Sequence, residues 1–240
     1  MSKTKVLLTL VVAAAAVCSA WMLAKGIRHF RGGDPVITVT GKAERNIKSD
    51  LIVWKISLEA QENERLRVYE LLQASRGKVV AFLKEKGVAD NEVTISNATL
   101  KDASRDYYYK EGKNMKYVAT IDFTVKSNRV DMIETVYQQF PDLFIQGVDL
   151  QSHTPKYSYT KLDELKLEML KEASSDAYTR ASILAEGGNS TIGSLTASTL
   201  GVFQIVGTDS DDEYSWSGSL NTSSKMKTAS VTVRSSYKIK

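Results

Sequence analysis

Residues 117–125 alternate, with Tyr117, Ala119, Ile121, Phe123 and Val125 on one side and Thr120, Asp122 and Thr124 between the last four. A two-residue period buries one face of an extended chain, so this stretch folds as a strand against a core. The same alternation runs through 51–59, where Ile52, Trp54, Ile56 and Leu58 share a face. It recurs near the end, where Ala229, Val231, Val233, Tyr237 and Ile239 alternate with Ser230, Thr232, Arg234 and Lys238. Weaker strand patterns occupy 36–40, 92–100, 143–151 and 192–206, the last interrupted at Gly201.

Three stretches carry the helical period instead. Residues 62–86 place Leu66, Val68, Leu72, Val79 and Leu83 on one side and stop at Gly87. Residues 129–139 carry Val130, Ile133 and Val136 or Tyr137 and stop before Pro141. Residues 161–186 run Leu162, Leu165, Met169, Ala173, Ala177, Ala181 and Leu184 at spacings of three and four, and end at Gly187-Gly188. The small Ala173/Ala177/Ala181 row predicts a helix lying close on a sheet. The order from 51 to 152 is therefore β-α-β-β-α-β, a ferredoxin-like arrangement. The expected fold class is α+β: two-layer sandwich units in which 51–152 is inserted into a discontinuous subdomain of 36–50 plus 153–240.

The amino terminus reads differently. An uncharged apolar run, 6–24, lies between Lys3 and Lys5 on one side and Lys25, Arg28 and Arg31 on the other. As a helix its nineteen residues would be roughly 28 Å long, close to the hydrocarbon thickness of a bilayer. The run is long for a cleaved signal peptide, and Val17 before Cys18 is wrong for a lipoprotein. An uncleaved transmembrane signal anchor fits best, with 1–33 as short cytoplasmic tail, anchor and basic flank and 36–240 as an exported region. The expected location is thus a membrane, single-pass, with the short tail inside and the C-terminal region exported.

Charge is divided along the same line. The chain has 32 Lys/Arg against 28 Asp/Glu; residues 1–33 hold five of the former and none of the latter, leaving 27 against 28. The basic balance belongs to the amino terminus, so no nucleic acid partner is expected. Cys18, the single cysteine, lies in the apolar run, so no disulfide staples the rest.

Chemistry is sparse. The two histidines, His29 and His153, have no Cys, Asp or Glu at triad or metal-ligand spacing. Asp209, Asp211, Asp212 and Glu213 cluster oxygen ligands, yet EF-hand positions 6 and 12 counted from Asp209 hold Tyr214 and Leu220. A solvated acidic loop is the better reading. Asp163, Glu164, Glu168 and Glu172 interleave with Lys161, Lys166 and Lys171 as pairs on a wet helix face. No catalytic residue, cofactor site or metal site is expected. Two long loops, 101–116 and 208–224, carry the candidate interaction residues Tyr107, Tyr108, Tyr109, Tyr214 and Trp216, because exposed aromatics anchor interfaces.

The opening Ile37-Thr-Val-Thr-Gly41-Lys-Ala-Glu44, with Lys48-Ser-Asp50 and the Trp54 strand, resembles the start of SIMPL-domain proteins. The stretch Leu170-Lys-Glu172-Ala173, Asp176-Ala177, Arg180-Ala181 and Leu184-Ala-Glu-Gly187, followed by Ile192-Gly193 and Phe203, is similar to that family's helix and its sequel. The resemblance covers nearly all of 36–240 and implies no catalytic motif. It implies bacterial relatives that are exported, periplasmic or envelope-associated, some connected with oxidative-stress tolerance and some forming large homo-oligomers, so the expected membrane is a bacterial inner membrane, with the C-terminal region in the periplasm or outside the cell. The expected function is non-enzymatic: self-assembly as a homo-oligomer or binding of other envelope proteins, with the membrane as a further partner through 6–24. The alternative is a periplasmic binding module for a small molecule or peptide, with a cleft between subdomains.

Overall fold

The computed structural model describes residues 3–31, 35–208, 210 and 215–240, with side chains of the first helix described over 12–26. In chain order its helices are α1 (Lys3–Arg31), α2 (Arg65–Glu85), α3 (Val130–Gln139), α4 (Asp142–Ile145) and α5 (Leu162–Gly187). Its strands are β1 (Val36–Lys48), β2 (Leu51–Glu62), β3 (Val93–Ile95), β4 (Thr99–Asp102), β5 (Tyr117–Ser127) and β6 (Leu150–Ser152), then β7 (Lys156–Ser158), β8 (Ile192–Leu200), β9 (Gln204–Gly207), β10 (Ser219–Leu220) and β11 (Met226–Ile239). The chain forms two compact units. One comprises Met1–Ala43, Leu170–Gly201 and Thr232–Lys240; the other comprises Glu44–Met169 and Val202–Val231.

The larger unit is built on the two most regular alternations. β2 and β5 pair antiparallel over their full length, from Ile52↔Ser127 to Glu62↔Tyr117. Directly opposed residues share a face, so Trp54 with Val125, Ile56 with Phe123 and Leu58 with Ile121 form one buried layer. The strand order β3-β5-β2-β6, with β4 also on β5 and β7 also on β2, is that of a ferredoxin-like β-α-β-β-α-β sheet. α2 supplies Val68, Leu72, Val79, Phe82 and Leu83 to this core, and α3 supplies Val130, Ile133 and Val136. Trp54 sits at its centre, donating its indole N–H to Ser152 Oγ at 2.9 Å and meeting Tyr137 edge-on.

In the smaller unit, Gly41 of β1 lies against α5. A Cβ at Gly41 would stand 2.2 Å from the Ala173 carbonyl oxygen and 2.4 Å from the Ala177 amide nitrogen. Glycine on the strand and alanine on the helix let the two backbones meet, and Val39, Ala177, Ala181 and Tyr237 close the core around that contact.

Several expectations are corrected. Among the described residues no helix is long and apolar enough to cross a membrane. That finding overturns the transmembrane signal anchor expected at 6–24 and the single-pass bacterial inner-membrane placement with a periplasmic or external C-terminal region. Residues 143–151 are not one strand: Pro141 holds a helical φ of −58°, Asp142–Ile145 forms a helical turn that buries Leu143, and extended chain resumes at Leu150. Leu66 and Leu184, assigned to core faces by their spacing, are exposed.

Candidate interaction surfaces

β8 has the composition of a strand that pairs readily: Ile-Gly-Ser-Leu-Thr-Ala-Ser-Thr-Leu, with no charge and no proline. Its pairing among the described residues is to β11 alone, from Val233↔Leu200 to Tyr237↔Leu195 and Ile239↔Ile192. The opposite edge carries no partner strand among the described residues. Residues 194–200 are exposed on both faces, with Leu195 at 53% and Leu200 at 56%. Two register shifts fall toward Ile192, at Ser236/Tyr237 and Tyr237/Ile239, so 197–200 is the regular part of the edge. Leu195 stands opposite Tyr237, whose ring meets the exposed Tyr178 of α5 edge-on at 5.9 Å. An uncharged free edge thus adjoins an apolar path from Leu195 through Tyr237 to Tyr178.

The loop aromatics are placed separately. Tyr107 and Tyr108 are almost fully exposed, and their rings meet edge-on with centroids 5.2 Å apart. Tyr109 follows them, half-buried, and donates its amide to the Asp106 carbonyl. The loop is shaped by short-range polar contacts: Lys101 pairs with Asp106 at 2.6 Å, and Asp102 accepts from the Ser104 amide and hydroxyl. Trp216 is 99% exposed on the other loop. Tyr214 lies outside the described residues, as do Asp209, Asp211, Asp212 and Glu213 of the acidic cluster.

That second loop is anchored by a residue no motif marks. Lys227 is buried, and its ammonium donates to the Asn221 carbonyl at 2.8 Å, to Asn221 Oδ1 at 3.2 Å and to the Ser224 carbonyl at 2.5 Å. Gln204 grips Ser215 at both its carbonyl and its amide. Trp216 is therefore presented from a segment held on either side of it. The signal for this in the sequence was a lysine at an inward position of a strand, visible only once the register was known.

A charge cluster braces the larger unit. Asp131 accepts from Lys48 at 2.6 Å and lies 3.3 Å from Lys225, and Lys225 also bonds Glu134. Glu134 accepts the Tyr157 hydroxyl at 2.9 Å. Lys48, and then Lys225, hold the Asp131 carboxyl below the usual range; the Glu134 hydrogen bond raises Lys225. Burial, followed by that same glutamate, pushes the Tyr157 hydroxyl upward. All three groups are driven away from titrating near neutrality, which suits a fixed brace better than proton transfer. Nearby, Arg129 and Glu92 form a second pair, with Ser127 Oγ also donating to Glu92. His153 is exposed and bonded through its backbone to Lys55. Among the described residues no group of three or more His, Cys, Asp or Glu is placed to hold a metal ion.

Residues 37–237 match the model of SIMPL, described as a protein of unknown function (DUF541). The chain belongs to the SIMPL family. In this SIMPL chain the residues that carry the resemblance do structural work: Gly41 seats α5 on β1, and Asp176 Oδ2 accepts the Lys42 amide and Arg180 Nε, each at 2.8 Å. No curated protein matches the chain. Among solved structures, a de novo designed protein, Foldit4, aligns with 43% of this chain and 93% of its own at 10% identity, with a TM-score of 0.22. So low a score carries no argument about fold or function.

Proposed function

We propose that this SIMPL protein works by association rather than catalysis, pairing the free edge of β8 with an extended strand of a second copy or of a partner protein. The observation that supports this reading is the edge itself: uncharged, free of proline, exposed on both faces and flanked by Leu195 and Leu200. Soluble proteins ordinarily guard such an edge with charge, proline or a covering element, because unpaired backbone groups recruit other strands. Added strands bond through the main chain, while side chains on alternate positions set selectivity. Tyr107, Tyr108 and Trp216 offer a second, aromatic contact surface. A part in oxidative-stress tolerance rests on the family resemblance alone and is read from peroxide survival of cells lacking the protein.

The test is the mass of the full-length chain by light scattering across a concentration series, beside the double variant Leu195→Lys/Leu200→Lys. Both leucines are exposed, so the changes leave the core intact. A wild type that grows with concentration and a variant that stays monomeric support edge pairing. Equal association of the two moves the contact elsewhere. A wild type that stays monomeric at every concentration removes self-assembly.

A further inference from the structure

A cleft of about 490 Å³ opens in the larger unit between the first turns of α2 and the β4 edge of the sheet. Arg65, Leu66 and Tyr69 form one wall, Ala98 and Leu100 the other, and Ala119 the floor. The register explains why it exists. Ile95 pairs with Phe123 and Thr99 with Thr120, so four steps on one strand oppose three on the other. The extra residue is a bulge at 96–98, tied to β5 where the Ser96 amide donates to the Asp122 carbonyl and Ser96 Oγ accepts the Asp122 amide. It turns Leu100, opposite Ala119, toward the helix layer. There α2 does not cover it: Leu66, Tyr69 and Leu100 all stay exposed above a floor as small as alanine.

We infer that this cleft binds a medium-chain aliphatic monocarboxylate, its tail over Leu66, Leu100 and Ala119 and its carboxylate on Arg65. The volume lies within the ~300–1,000 Å³ of small-ligand clefts, and an apolar lining with one convergent polar group is how such clefts combine affinity with orientation. The charge is complementary. The Arg65 guanidinium has no ion-pair or hydrogen-bond partner among the described residues, whereas that of neighbouring Arg67 is paired with Glu70. A guanidinium presents a planar fork suited to a carboxylate. Burying the tail removes from water the apolar surface that the bulge leaves uncovered. This inference concerns a different unit from the β8 edge and stands apart from it.

The experiment is a methyl NMR titration of the full-length protein with decanoate below its micelle threshold, with decanol as the uncharged probe. Saturable shifts at the Leu66, Ala98, Leu100 and Ala119 methyls are expected. Arg65→Gln should weaken decanoate about tenfold and leave decanol unchanged, while Arg65→Lys recovers much of the loss. Ala98→Trp, on the exposed rim, should fill the cleft and abolish both. Absence of saturation at those methyls, shifts confined to α1, or equal binding of decanoate by Arg65→Gln and wild type would each overturn the inference.

Discussion

Glu92 illustrates how one side chain sets a pH response. Its carboxylate bonds Arg129 at both Nε and Nη2, accepts Ser127 Oγ at 2.5 Å and accepts the Ala89 amide at 2.9 Å. Arg129, ahead of the other contacts, lowers its pKa from 4.5 to about 2. A depressed folded pKa contributes stability that is complete above about 4.5 and is lost as pH falls toward about 2. Arg129 is half exposed, so screening reduces the effect to roughly 1–2 kcal/mol. Urea unfolding of Glu92→Gln should show that loss at pH 7 and a flatter acid limb than wild type. Equal loss at pH 2 and pH 7 would mean that the carboxylate's charge contributes nothing. No pattern in the sequence joined Glu92 to Arg129, because the two meet only through the pairing of β3 with β5.

At the scale of elements, the contact of β1 with α5 depends on a missing Cβ. The alanine row was legible as a spacing, and Ala173, Ala177 and Ala181 are fully buried as that spacing required. Its partner Gly41 was not, since a glycine in a strand reads first as a weakness. Gly41→Ala would press a methyl into backbone atoms that no rotamer change can move. The expected cost is roughly 3 kcal/mol or more, read from thermal unfolding, with Ala177→Gly as the partial rescue. A loss under about 1 kcal/mol would show that the helix shifts freely on the strand. The alternations at 51–59 and 117–125 located β2 and β5, and the weak pattern at 192–206 resolved into β8 and β9 on either side of Gly201. The two-residue β10 and three-residue β7 left no pattern, being too short to show a period.

For the molecule as a whole, protection from solvent should follow pairing on both edges and burial. β2 and β5 are paired on both sides and hold side chains with no exposure at all, among them Ile52, Trp54, Ile56 and Phe123. β8 is paired on one side and exposed on both faces. Hydrogen exchange followed by mass spectrometry should therefore find β2 and β5 the slowest segments and 194–200 among the fastest strand residues in dilute protein. Added protection of 194–200 as concentration rises would follow from edge pairing; protection equal to β5 in dilute protein would contradict the exposed edge. Strand and helix identity, the small-residue face of α5 and membership of a family were within reach of the sequence, because periodicity and residue size are local properties of the chain. Which edge stays free, which leucines escape the core and where a bulge opens a cleft were decided by the tertiary structure. Those outcomes depend on register and on which elements run out of partners, and neither quantity is carried by any single segment.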